Sequence, residues 1–163
     1  MKEKREFVVV LDNIRSLYNV GSIFRTAEAL GFDKVYLGGI TPAPDNKNFQ
    51  AIHKTALGAE KYLAWEKSYS ILKILKKLKE QNYYLIALEV GKSGIKINQF
   101  KKLPPKYQKI ALIVGNERKG INKKYLNYCD KILEIPLVGQ KESLNVSVAF
   151  GIAAFWLKNL NKL

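Results

Sequence analysis

The sequence predicts an α/β domain built on a mainly parallel sheet with helices on both faces. Three observations carry the prediction. Short aliphatic runs alternate with helical patterns along the whole chain. The runs FVVVL (7–11) and KIALIVG (109–115) are apolar without alternation, as strands buried on both faces must be. Finally, the stretches that break the apolar rules fall at strand ends, where ligands sit in such sheets.

The elements follow in order. After strand 7–11 comes a long loop, DNIRSLYNVG, then a helix over SIFRTAEALG with Gly31 as its C-terminal stop. KVYLGG (34–39) is the second strand, and ITPAPDNKN is a loop on its Pro and Asp/Asn chemistry. FQAIHKTALGAE fits a short helix or an ordered loop. SYSILKILKKLKEQN (68–82) is an amphipathic helix, with Ile71, Leu72, Leu75 and Leu78 on one face and lysines on the solvated remainder. YYLIALEV (83–90) is the third strand and GKSG breaks it; KIALIVG (109–115) and KILEIPL (131–137) are two more, joined by a short helix over NKKYLNYC. The last helix, SLNVSVAFGIAAFWLKNL, is apolar nearly all round through Val146, Val148, Phe150, Ile152, Phe155, Trp156 and Leu157. Such a helix at a chain end needs cover on every side, and a second subunit can supply part of it.

The 163 residues suit one domain, 1–163, with a basic tail over 1–6. Against 14 Asp+Glu stand 28 Lys+Arg, a formal charge of +14. That is well above the magnitude of about 2–8 typical of a small soluble domain, and it points to a polyanionic partner, nucleic acid first. One cysteine, Cys129, cannot form an internal disulfide, which places the chain in the cell interior, the cytoplasm. His53 is the sole histidine, so His-based metal sites and Ser or Cys triads are disfavoured and no metal is expected. No secretory signal is expected before Phe7. The apolar-rich stretch Leu144–Leu157 contains Asn145 and Ser147 and is too short to span a membrane.

Three stretches can carry chemistry. In NVGSIFRTAEALG, Asn19 falls where a helix N-cap is expected, Gly21 permits close approach of another backbone, and the free helix N–H groups suit a phosphate near Arg25. In LIVGNERKG (112–120) an apolar run stops at Gly115, and a lone carboxylate, Glu117, stands between two glycines beside Arg118 and Lys119. In IPLVGQKESLNVSVA, Pro136 should end a strand, Ser143 is a fair N-cap, and Asn145 and Ser147 enter an otherwise apolar helix. Read singly, the first and third have plain structural alternatives: a capped helix with a solvated arginine, and capping plus a helix–helix hydrogen bond.

Taken together and in this order, N-x-G-x-x-x-R-T-A (Asn19–Ala27), G-N-E-x-x-G (Gly115–Gly120) and I-P-x-x-G…S-L-N-V-S-V-A (Ile135–Ala149) resemble the three signature motifs of the SpoU/TrmH branch of the SPOUT methyltransferases, over nearly the whole chain. The resemblance implies a deep C-terminal trefoil knot, a homodimer and S-adenosyl-L-methionine (AdoMet) as cofactor. The reaction it implies is methyl transfer to a ribose 2′-hydroxyl of RNA, tRNA ahead of rRNA. It implies a cofactor site from Leu88, Gly91, Gly115, Asn116, Gly120, Ile135, Pro136 and Leu144, with Gly115 letting backbone approach the cofactor. For catalysis it implies Arg25, Asn19, Glu117, Ser143 and Asn145, with Glu117 fixing Asn19 and the loop backbone. Arg25 either orients a phosphate and stabilises the 2′-alkoxide or loses a proton transiently. This chain resembles the minimal, catalytic-domain-only members, so Arg5, Arg15, Lys47, Lys54, Arg118 and Lys119 are its candidate phosphate contacts. Two other readings stand beside this one: a non-catalytic knotted RNA-binding module, and a SPOUT enzyme that methylates a base.

Overall fold

The computed structural model describes residues 5–91 and 94–160. The first strand, β1 (Glu6–Asp12), sits in the middle of the sheet. Phe7, Val9 and Leu11 join the core on one face, and Val8 and Val10 join the core on the other. Both sides are dry, which is why the strand reads as an unbroken β-branched run. The other strands are β2 (Lys34–Gly38), β3 (Ala64–Ser68), β4 (Tyr83–Leu88), β5 (Ile95–Lys96), β6 (Lys109–Val114) and β7 (Lys131–Glu134). Among the described residues they form one seven-stranded sheet, ordered β3-β2-β1-β6-β4-β7-β5, with every pairing parallel.

Helices α1 (Leu17–Ala29), α2 (Phe49–Ala56), α3 (Ala59–Tyr62) and α6 (Val146–Asn159) contribute to the core on the Phe7 face. Helices α4 (Ile71–Glu80) and α5 (Lys123–Leu126) lie on the opposite face. In α4, Ile71, Ile74, Leu75 and Leu78 are buried. Each contributes roughly 1.5–3 kcal/mol relative to exposure, which fixes the helix although its other faces are lysine-rich. α1 and α2 pack very closely, because a Cβ on Gly21 would overlap the Ile52 carbonyl and the Thr55 hydroxyl.

Several boundaries differ from the sequence expectation, each for a local reason. α1 starts at Leu17, not Ser22, because Ser16 is its N-cap and accepts from the Asn19 N–H at 3.3 Å; Asn19 is therefore inside the first turn and not the cap. α6 is capped by Asn145, not Ser143: the Asn145 side chain accepts from Ser147 N and Val148 N. FQAIHKTALGAE resolves into two helices, broken where Leu57 and Gly58 take positive φ. β3 and β5 were not expected, the first because AWEKS is a partly exposed edge strand, the second because it has only two residues. Strand β4 ends at Leu88 and β7 at Glu134, earlier than the apolar pattern suggests. Residues 1–4 of the basic tail, and Lys92 and Ser93 of the GKSG break, lie outside the described residues.

Candidate active site

The loop after β6 is where the unusual chemistry gathers. Gly115 leaves the strand, Asn116 bridges to Gly120, and the chain folds back on itself. A Cβ at Gly115 would overlap the backbone of Gly120 and Ile121. The glycine is thus required by the loop's own return, and it also lines the hollow described below. The Asn116 side chain holds the turn from both ends: its Nδ2 donates to Asn13 O at 2.7 Å, and its Oδ1 accepts from Arg118 N and Lys119 N at 3.0 and 3.1 Å. Gly120 takes φ +65 and presses on the Glu89 carboxylate, which accepts from Ile121 N and Val90 N. Glu89 was missed in the sequence, where it reads as the polar tail of strand YYLIALEV.

Glu117 turns outward and across to α1. Its carboxylate accepts from Arg15 N at 3.1 Å, Ser16 N at 3.0 Å and Asn19 Nδ2 at 3.2 Å. The N–H groups of Arg15 and Ser16, just before α1, are therefore taken by an internal carboxylate. Burial pushes the Glu117 carboxyl up, but these accepted bonds outweigh it and hold the group below the usual carboxylate range. Asn19 passes the chain on: its Oδ1 accepts from Asn145 Nδ2 at 3.0 Å, while Asn145 Oδ1 accepts from Ser147 N at 2.9 Å and Ser147 Oγ at 2.6 Å. One line of hydrogen bonds thus joins loop 115–120, the start of α1 and the start of α6.

Beside this line lies a hollow of about 320 Å³. Leu88, Gly115, Asn116, Glu117, Gly120, Ile135, Ser143 and Leu144 line it, all sequence-predicted; Glu89, Leu137 and Glu142 were not foreseen. The size suits a small-molecule pocket, and the lining mixes aliphatic walls with a few polar groups. Five expected residues are not in its lining: Gly91, Pro136, Asn19, Asn145 and Arg25. Asn19 still joins it through its hydrogen bond to Glu117, and Asn145 through its bond to Asn19. Gly91 follows β4 with open space around it, and Pro136 faces solvent beside Ile135 and Leu137, which do line the hollow. Arg25 is remote. It lies eight residues past the start of α1, roughly 12 Å along the helix at 1.5 Å per residue, and lines a separate hollow with Ser22, Lys54, Thr55 and Phe155.

Two other titratable groups have ordinary structural explanations. Cys129 is pushed up to about 12, first by burial and then by Asp130, so its thiol is no nucleophile. His53 pairs through Nδ1 with the buried Glu60 carboxylate at 2.6 Å on the far side of α2. Among the described residues, no helix is long and apolar enough to cross a membrane.

Comparison with known proteins bears on this arrangement. The chain is similar to a protein of Borreliella burgdorferi described as an uncharacterized tRNA/rRNA methyltransferase, 33% identical over 96% of this chain and 65% of that protein. It is similar to the 23S rRNA (guanosine-2'-O-)-methyltransferase RlmB of Yersinia pestis, 31% identical over 91% of this chain and 57% of that one. The chain thus spans less than two thirds of these relatives' length. Its fold matches the AdoMet-bound rRNA methyltransferase of Sinorhizobium meliloti with a TM-score of 0.86 at 22% identity, over 99% of this chain and 58% of that one. The model of the SpoU rRNA Methylase family matches residues 6–155, a span that takes in β1, loop 115–120 and most of α6, and the chain belongs to that family.

Proposed function

We propose that this protein is an AdoMet-dependent methyltransferase acting on a ribose 2′-hydroxyl of RNA, tRNA before rRNA. The observation that carries the reading is the hollow walled by loop 115–120 and the segment 135–149, with the Glu117–Asn19–Asn145 line at its edge. The residues present fit the cofactor. Ile135, Leu137, Leu144 and Val146 offer apolar walls for an adenine, and the Glu89 and Glu142 carboxylates suit a ligand that carries positive charge. When bound, AdoMet supplies an activated methyl group on a sulfonium.

The chain's own residues position and stabilise. Glu117 already accepts from Arg15 N, Ser16 N and Asn19 Nδ2 and is held below the usual carboxylate range, which makes it a weak base, so its role is to lock Asn19 and the loop, not to take the ribose proton. Ser143, which lines the hollow, and the second N–H of Asn145 Nδ2, whose Oδ1 is taken by the α6 cap, would donate to ribose or phosphate oxygens. Arg25 offers a guanidinium to a phosphate and to charge developing on the 2′-oxygen.

Arg25 lies away from the hollow of its own chain, and this favours a homodimer in which the partner's Arg25 completes the site. The stripe Val148, Ile152 and Phe155 supports it: these α6 residues are 51, 43 and 58% exposed, and Phe155 lines the same hollow as Arg25. A knotted path is also part of the reading. It is supported by β7, which follows β4 and β5 in the chain yet lies between them, and by Gly94, packed against Glu134. One domain over 1–163 and a cytoplasmic site of action complete the proposal.

The test is transfer of labelled methyl from AdoMet to unmodified tRNA and rRNA transcripts, followed by nucleoside analysis. A 2′-O-methylated nucleoside is expected, with Arg25→Ala abolishing transfer while AdoMet still binds. A methylated base, or full activity in Arg25→Ala, contradicts the reading.

A further inference from the structure

The loop residues Asn116–Gly120, Arg118 and Lys119 included, line two hollows: the one described above and a larger open crevice of about 1460 Å³. Its position follows from the sheet order. From β1 the chain leaves through α1 toward β2, on the Phe7 face; from β6 it leaves through α5 toward β7, on the opposite face and in the opposite direction across the sheet. β1 and β6 are neighbours, so their outgoing loops diverge and open a gap beyond their carboxyl ends. This is a topological switch point, where open parallel sheets bind ligands. Asp12, the last residue of β1, lies in the gap with Asn116–Gly120, which follow β6.

The lining has one dominant sign. Arg15, Arg118, Lys119 and Lys123 all border the crevice, and among the described residues none of their side chains forms an ion pair or a hydrogen bond. The two carboxylates present are already committed. Glu117 is held by the N–H groups of Arg15 and Ser16, and Asp12, 1% exposed, accepts from Asn13 Nδ2 at 2.7 Å. Ile40, 62% exposed, and the half-buried Tyr125 add apolar surface at the rim. Unpaired cations beside apolar and aromatic surface suit a nucleic-acid strand, with phosphates on the charges and bases or sugars on the apolar part.

We propose that this switch-point crevice holds the sugar–phosphate backbone of the substrate RNA beside the target nucleotide, with Arg15, Arg118, Lys119 and Lys123 as its phosphate contacts. The inference rests on the transferase reading and adds where the strand runs. Loop 115–120 is then a wall shared by the cofactor on one side and the RNA on the other. A ligand that orders the wall from one side raises affinity on the other, and by linkage the effect is reciprocal.

The test is a salt titration of binding to fluorescently labelled, unmodified tRNA transcripts. It compares wild type, Arg15→Gln/Lys123→Gln, and a control of equal charge loss on the solvent face of α4, Lys73→Gln/Lys76→Gln. AdoMet titration of each variant without RNA reports the intact fold and cofactor hollow. Each lost phosphate contact lowers the slope of log affinity against log salt by about 0.7–0.9. The crevice variant should therefore lose about 1.4–1.8 in slope, the control should match wild type, and all three should bind AdoMet equally. An unchanged slope in the crevice variant, or an equal fall in the control, overturns the crevice while leaving the transferase intact. A wild type that neither binds nor methylates any RNA overturns the transferase reading and this inference with it.

Discussion

Glu117 shows how much one carboxylate can organise. It stands at the entry to α1, where unpaired N–H groups and the helix dipole favour negative charge. It comes from the loop after β6, some hundred residues later in sequence, so the bonds to Arg15, Ser16 and Asn19 pin two distant segments together. In Glu117→Gln, one acceptor oxygen becomes an N–H donor facing N–H donors. A lost acceptor of this kind costs about 1 kcal/mol at a partly solvated site, or about 2–4 °C in melting temperature for a chain of this size. Methyl transfer should fall further than stability, because Asn19 and the Asn145 cap lose their anchor. Unchanged melting and unchanged transfer would remove Glu117 from the account. Its depressed carboxyl also fixes a pH expectation. The stabilisation is present above the ordinary value of 4.5 and is lost only as pH falls through the lower folded value. Any pH dependence of transfer between about pH 6 and 9 must then arise from another group.

At the scale of elements, α6 carries the surface on which the proposed dimer rests. Phe150, Ala153, Ala154 and Leu157 are buried in the chain's own core, while Val148, Ile152 and Phe155 form a stripe on the uncovered side. Phe155→Asp places a charge in that stripe without touching the buried one. Wild type should sediment as a dimer at micromolar concentration and the variant as a monomer without transfer activity. A fully active wild-type monomer would contradict the shared site. The same scale shows why some elements were legible and others not. β1 and β6 declare themselves because burial on both faces demands unbroken aliphatic runs. β3 gives no such signal, because an edge strand such as AWEKS is half solvated and carries Glu66 and Lys67. The starts of α1 and α6 were misplaced because Asn19 looks as able to cap as Ser16 does, and Ser143 as able as Asn145; tertiary bonds from Ser16 N to Glu117 and from Asn145 to Asn19 go with the caps the fold adopts. Gly115, Ile135 and Leu144, which line the hollow, were reached through the resemblance of their motifs to those of a known family. Glu89 was not, because its partner, the Ile121 N–H, is set only by the loop's return.

The whole molecule is a parallel sheet whose loops at one end build two hollows around a single loop, on a chain with a formal charge of +14. The sheet fixes the ends of β1, β4, β6 and β7. The loop closes only because Gly115 has no side chain, and the excess positive charge suits the RNA proposed as substrate. The central claim is that the hollow beside loop 115–120 is a cofactor site, and calorimetric titration of the folded protein with AdoMet tests it without any choice of RNA. Wild type should bind in the micromolar range, and Gly115→Val, which forces the loop backbone apart at Gly120 and Ile121, should bind at least about tenfold more weakly, a loss of 1.4 kcal/mol. No binding to folded wild type, or equal affinity in the variant, would contradict the account.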